Sequence, residues 1–436
     1  MRQVCHEITS AGHAATMRIL EFASFALQQV LVGRRSYYVW LAFLLLLIGV
    51  GVAGYSQQVI YGHIVSNLRD PVPWGMFIGT YAFFVGVAAA AVALSVPGYV
   101  YGWKPIQEIV VLGEIIAISA VVMCILFVMA DLGHPERFWH LLPGLGSPNV
   151  PSSMIAMNVL ILNGYLVLNL ILVSYFLYCN FAGHHYNNTL FITLMFVSIP
   201  AAISIHATTA FIFNVLPSRP YWNSAILVPR FIGTALAAGP ALMVLAFQVL
   251  RRQAKITIRD EALQKIAEMI SIVMFVNLLL FFAEVVTEYR SATKHTVHMQ
   301  YYFEGVGQHI GLARWAWTGA TCNVVAFVLL MIPKTRKRLL TMNLGCVLVF
   351  FGVFIEKGIG LVLPGFTPGT LGELYEYVPS VPELMISVGI AGVGALVFTL
   401  LTKIAIPLSM FHEPDEDVVA PMTGAGGSPA VHSVRW

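Results

Sequence analysis

Four stretches of this chain crowd together side chains able to move protons or grip a polar ring. The densest, Asp131-Leu-Gly-His-Pro-Glu-Arg-Phe-Trp-His140, sets acids, two histidines, an arginine and an indole side by side. These are the groups a quinone head requires. Its reduced form gives up protons as well as electrons, so a site needs titrating hydrogen-bond partners, aromatic walls and access from lipid. Asp131, His134, Arg137, Trp139 and His140 are therefore candidate quinone-binding residues. A plainer reading makes Arg137, Trp139 and His140 interfacial anchors, with Asp131 and the Gly133-His134-Pro135 turn shaping a helix end. The other stretches are Ser218-Arg-Pro-Tyr-Trp-Asn223, residues 284–300, and Glu356-Lys-Gly followed by Pro364-Gly-Phe366.

Ionisable residues inside apolar runs are costly and mark function by default. Glu114, His206 and Glu284 qualify, with Glu288 and Glu356 at helix ends. Glu284 and Glu288 share one helix face, with Asn277 two turns earlier. Two carboxylates that close do not both ionise easily, so one is expected to hold a proton, which makes the pair candidate proton acceptors. A neutral glutamate bonded across helices is the alternative. Asn158, Tyr165 and Asn169 also fall on one face, as a polar ladder that could hold water or simply glue helices together. Glu114 lies roughly 10 Å inside its helix at 1.5 Å per residue. Glu114, Asn158, Tyr165, His206 and Glu356 are the candidate proton path.

His206 is the one histidine well inside an apolar run, whereas a b-type haem needs two facing ligands. His184, His185, His295, His298 and His309 are read as solvated loop histidines, since their spacing matches no metal motif. Cys5, Cys124, Cys179, Cys322 and Cys346 form no Cys-x-x-Cys pair, so neither a disulfide framework nor an iron–sulfur site is expected. No phosphate-binding glycine loop is present.

The elements that position these groups follow from composition. With 58% hydrophobic and only 10% charged residues, against roughly 25% charged in soluble domains, most of the chain must have lipid as its solvent. A net charge of +3 with scattered Lys and Arg excludes a nucleic-acid partner. Ten apolar runs are long enough to span a bilayer: 37–55, 74–96, 109–129, 155–181, 190–213, 231–249, 269–286, 315–332, 339–355 and 384–401. No internal repeat is evident. Residues 1–36 form an N-terminal segment whose stretch 17–32 suits a helix lying on the membrane surface. The opening residues lack the order of a cleavable signal, so the first span is expected to serve as its own insertion signal. Residues 37–408 make the transmembrane domain, and 409–436 read as a disordered tail. If the N-terminus is inside, most Lys and Arg fall on that side, which places both termini in the cytoplasm.

At this point the motifs resemble a known family. Asp131 to Arg137 is similar to the Asp-Leu-Gly-x-Pro-x-Arg signature of the NrfD/PsrC family of quinone-interacting membrane subunits. Pro73-Trp-Gly-Met-Phe-Ile-Gly resembles that family's entry to its second span, and Ser218 to Pro240 its Arg-Pro-x-Trp and Pro-Arg-Phe segment. Ile355-Glu-Lys-Gly through Glu373 and Tyr377 resembles the larger, ten-helix DsrP/HmcC-type branch. The resemblance covers 37–407. It implies an all-α core of two four-helix bundles plus extra helices in the cytoplasmic membrane of a bacterium or archaeon, and a menaquinone or ubiquinone site near the periplasmic surface. It further implies a periplasmic iron–sulfur partner, multihaem cytochrome c and haem b membrane subunits, a place in sulfur or sulfate metabolism, and no haem or iron–sulfur cluster in this chain. Asn158 stands where relatives often carry an acid, and His134 where they often carry a second base. The competing readings are a proton-coupled transporter, which predicts broken helices or inverted repeats, and a structural anchor for redox subunits.

Overall fold

A computed structural model describes residues 2–183, 188–254, 256–290, 294–369 and 372–408, without the side chains of 2–16, 188, 294 and 295. His184, His185, the His295 side chain and the expected tail 409–436 lie outside the described residues. Backbone amides find no partner in lipid, so each apolar run closes its own hydrogen bonds as a helix. The described chain is accordingly helical, with isolated bridges in loops and no strand.

Helix α1 is Arg2–Leu31. It is followed by α2 (Arg35–Tyr61), α3 (Met76–Val100), α4 (Val110–Asp131), α5 (Met154–Phe181) and α6 (Asn188–Asn214). Then come α7 (Leu227–Gln253), α8 (Asp260–Arg290), the short α9 (Lys294–Phe303), α10 (Gly311–Met331), α11 (Leu339–Phe366) and α12 (Val381–Ala405). Nine of these are long and apolar enough to cross a membrane. The tenth expected span is α10, whose 21 residues reach about 31 Å at 1.5 Å each; Arg314 and Asn323 lower its hydropathy. The chain is a multi-pass membrane protein.

Helices α3, α4, α5 and α6 pack as one ring of four, and α7, α8, α10 and α11 as a second in the same order. These are the two bundles the resemblance implies. The rings meet where α3 lies against α7 and α11. Helices α2 and α12 pair with each other and lean on α4. That pairing is close because glycine faces glycine: a Cβ on Gly51 would stand 2.5 Å from the Gly389 Cα.

Two ends of the assembly differ. At one, Arg251 pairs with Asp260, Arg259 with Glu108 and Arg336 with Glu268, a basic face. At the other, loops interlock: Gln58 donates to the Ala130 carbonyl at 2.6 Å, and Asn67 N to Glu383 at 3.0 Å. There too Tyr221 donates to Gly360 O at 2.9 Å. This is the loop-rich face. Helix α1 docks at the basic face through Phe22 and Phe25 on Phe181, and leaves Met17, Leu20, Leu27 and Leu31 exposed.

Candidate functional site

Two spans extend further than their apolar runs predicted, and both extensions bring in charge. Helix α7 begins at Leu227, which places Arg230, read from sequence as a loop residue, inside the helix. Helix α11 continues through a π-turn, Phe354–Ile359, to Phe366. That turn carries Glu356 and Lys357 as adjacent residues that are both buried. A π-turn inside an α-helix is rare and often sits at a functional site.

These elements assemble an ion cluster in the loop-rich half of the second bundle. Arg230 donates to Glu284 and, at 2.7 Å, to Glu356. The second Glu356 oxygen accepts from Asn323 at 2.8 Å and from Asn277 at 3.3 Å. Glu356 is thus satisfied by three helices, as a buried carboxylate must be. Glu288 lies one turn further out and is half-buried. The close acidic pair is therefore Glu284 and Glu356, bridged by a cation, where sequence spacing suggested Glu284 and Glu288.

Across α11 from this cluster lies a cavity of about 490 Å³, within the roughly 300–1,000 Å³ usual for small-molecule sites. Its polar side is Arg314, Gln308, Glu376 and Tyr301, and its aromatic walls are Trp315 and Tyr377. Met76, Phe354, Ile359 and Leu363 supply apolar surface. Trp315 is 54% and Leu384 45% exposed, so one side of the mouth is apolar and open to lipid, while Gln308, Arg314 and Glu376 are exposed on the other. Glu376 is fixed by Gly311 N at 2.9 Å, and burial together with Glu376 pushes the Tyr301 hydroxyl up to about 12. Tyr301 therefore remains a donor at neutral pH. Thr80 also lines the cavity, and its buried hydroxyl has no protein partner among the described residues.

The sequence-predicted quinone residues lie elsewhere. Only Asp131 turns inward, with Oδ1 buried and without a partner among the described residues. His134, Arg137, Trp139 and His140 are exposed, His134 against Glu136 at 2.9 Å and Trp139 stacked on His140. None of the five lines the cavity. Asp131 reaches it indirectly. It faces Glu383, which accepts at 2.5 Å from Tyr377, the residue that forms the cavity wall.

The proton-path candidates divide. Glu356 belongs to the ion cluster. Asn158 accepts from Tyr81 and donates to Thr209 at 2.8 Å and Thr208 at 3.2 Å, tying α3, α5 and α6 together. Tyr165 donates to Ala88 O at 3.2 Å. Glu114 accepts from Ser95 at 3.2 Å, and His206 Nδ1 meets Ala202 O at 2.9 Å. Two loop histidines are not simply solvated: His298 is buried against Pro364 O at 2.7 Å, and His309 lies 3.4 Å from Glu376.

Arg230, Lys357 and Tyr377 stand inside motifs quoted from the sequence but were given no role there, and Arg314 and Glu383 were not singled out. Lys357 was within reach, because residues 339–366 contain no charge except Glu356 and Lys357 and could have been taken as one span. Ser380 and Glu383 carry a capping-box spacing, which the structure forms. Nothing local marks Arg314.

The comparisons agree with this architecture. The family model described as polysulphide reductase, NrfD, matches residues 64–367. The C subunit of the selenate reductase of Mesobacillus selenatarsenatis is 25% identical over 85% of this chain and 94% of its own length. A Halobacterium salinarum protein, provisionally named as the C membrane subunit of a dimethyl sulfoxide reductase, is 26% identical over 82% of this chain and 88% of its own. A Hdr-like menaquinol oxidoreductase integral membrane subunit of Archaeoglobus fulgidus is 22% identical over 84% and 93%.

Proposed function

The chain belongs to the NrfD family, and from that premise we propose that it is the quinone-binding membrane subunit of a respiratory redox complex. The observation that carries this reading is the cavity beside α11. It has aromatic walls, an opening that is apolar on the Trp315 and Leu384 side, and a polar side, the combination that a ring with carbonyl oxygens on an isoprenoid tail requires. Arg314, Gln308 and Tyr301 would donate to those oxygens, and the Thr80 hydroxyl is a further donor. The relative named as a menaquinol oxidoreductase subunit supports the same ligand class.

Proton acceptors stand one residue behind the walls. Tyr377 leads to Glu383 and Asp131, and the segment of α11 that lines the cavity carries Glu356, which Arg230 of α7 bridges to Glu284 of α8. The quinone supplies two-electron, two-proton chemistry when bound; this chain supplies orientation and proton acceptance. The scattered cysteines offer no cluster motif, so electrons would pass to or from clusters on a partner chain. We place that iron–sulfur partner at the loop-rich face, taken as periplasmic because the opposite face is the basic one. Cytochrome c and haem b subunits and a sulfur-compound substrate remain part of the proposal through the DsrP/HmcC-type resemblance. Relatives named for selenate and dimethyl sulfoxide indicate that the terminal substrate belongs to the partner.

The test is direct titration of the purified complex with menaquinone. Arg314→Ala should weaken binding about tenfold, the value of a lost charge-assisted hydrogen bond of roughly 1.5 kcal/mol or more. Unchanged affinity in that variant and in Ile310→Trp, which would fill the cavity mouth, would remove the site from this location.

A further inference from the structure

Glu356 and Lys357 are neighbours in sequence, both buried, and they point different ways, Glu356 into the second bundle and Lys357 toward the seam between the rings. The π-turn makes this possible, since it lets consecutive side chains point into the protein. Glu356 is held by Arg230, Asn277 and Asn323 of the second bundle. Lys357 turns the other way. A Cβ on Gly86 of α3 would lie 3.3 Å from the Lys357 ammonium, so the lysine reaches the seam between the rings. It donates to Phe231 O at 3.3 Å and stands 4.2 Å from the Phe231 ring. Among the described residues no carboxylate takes it, because Glu284 and Glu356 are already matched to Arg230.

An ammonium held by one carbonyl and one ring keeps N–H groups to spare. Its charge acts on His206 and Cys124 of the first bundle as well as on Glu356 and Arg230 of its own. His206 Nδ1 is engaged by Ala202 O, whereas its Nε2 is buried without a partner among the described residues. Further down the first bundle, both amide atoms of Asn169 and Oε2 of Glu114 are also buried and unpartnered. Counted from the loop-rich helix ends at about 1.5 Å per residue, His206 lies about 12 Å deep, Asn169 about 22 and Glu114 about 25. Buried polar atoms without protein partners are what ordered water satisfies, and here they descend in sequence toward the basic face.

We propose that Lys357 passes protons between the two bundles, joining the ion cluster beside the cavity to a hydrated row that ends at Glu114. This rests on the quinone reading. When a hydroquinone in the cavity is oxidised, two electrons leave to the partner's iron–sulfur clusters and two protons remain. A Lys357 N–H bond breaks as the proton moves through a bridging water to His206 Nε2, leaving a neutral amine. The amine regains its charge from the proton delivered on the Glu356 side, and the imidazolium releases its Nε2 proton to the next water. Quinone reduction runs the same steps backwards.

The experiment uses the complex isolated through a tag on this chain, reconstituted in one orientation in vesicles holding a pH-sensitive dye, and driven with menadiol. Electron transfer and the face on which protons appear are read together. The wild type should release protons at the basic face, and Lys357→Met should cut that yield at least fivefold. Lys357→Arg should be as impaired, because a guanidinium keeps the charge but does not give up a proton. Restoration by arginine would make Lys357 a structural cation and overturn the proposal. Should both lysine variants fail to assemble, Glu114→Gln decides the matter with the same readout: it must lower the basic-face yield, and an unchanged yield refutes the row. Wild-type turnover with every proton on the loop-rich face refutes this inference alone. A wild-type complex that does not react with menadiol refutes the quinone reading, and the inference with it.

Discussion

The two four-helix rings solve the same problem, polar groups in lipid, in opposite ways. The second ring concentrates full charges and matches them: one arginine bridges two glutamates, and two asparagines complete the shell. The first ring uses uncharged groups, Tyr81, Asn158, Thr208 and Thr209, and leaves its deep acid, Glu114, with a serine on one oxygen only. Matched charges give a fixed structure, because removing any member strands the others. Neutral, partly satisfied groups tolerate loss and admit water. On the proposed reading, one ring holds a ligand wall in place and the other admits water.

That contrast is sharpest at Arg230. Arg230→Leu strands two buried carboxylates and should cost about 3–5 kcal/mol, read as a large fall in unfolding temperature in detergent. Adding Glu356→Gln should recover part of the loss; no recovery would mean that the arginine matters for packing rather than charge. Next, Ile310→Trp should weaken menaquinone binding at least tenfold while leaving the unfolding temperature within a few degrees, since the cavity edge it occupies is already exposed. In the first ring, Asn158→Ala should cost only about 1 kcal/mol, near the usual value of an interhelical hydrogen bond in a membrane. A loss as large as that of Arg230→Leu would erase the distinction between the rings. Smallest of all, Glu136→Ala, which removes the exposed partner of His134, should leave both stability and quinone affinity unchanged.

The spans were legible because lipid imposes one rule on every backbone amide, and an apolar run of sufficient length has a single solution. Their ends were not, because helix ends depend on partners. Arg230 enters α7 only because acids 54 and 126 residues away receive it. The same reason hid the cavity: Tyr377 and Met76, 301 residues apart, share a hydrogen bond that closes one wall. Glu284 was singled out from residue type alone, since an acid in an apolar run carries its own warning, and Asp131 from the polar stretch that it opens. Glu356 was singled out as a helix-end acid, whereas it lies within α11, bonded to Arg230, Asn277 and Asn323. The exposed cluster from His134 to His140 drew notice for its density, yet density along a loop says nothing about which side chains turn inward; here only Asp131 does.

The glycine contact between α2 and α12 has a consequence in time. Helix α2 is mostly exposed in the finished structure except along the strip that α12 covers, and about 320 residues separate the two. At roughly 5–20 residues per second, that interval lasts tens of seconds. Throughout it α2 resides in the bilayer with its glycine groove open, and no other described helix of this chain offers a glycine to Gly51. A copy truncated before α12 therefore leaves the Gly51 face of α2 uncovered in the membrane, and a copy that reaches Ala405 closes that face by itself.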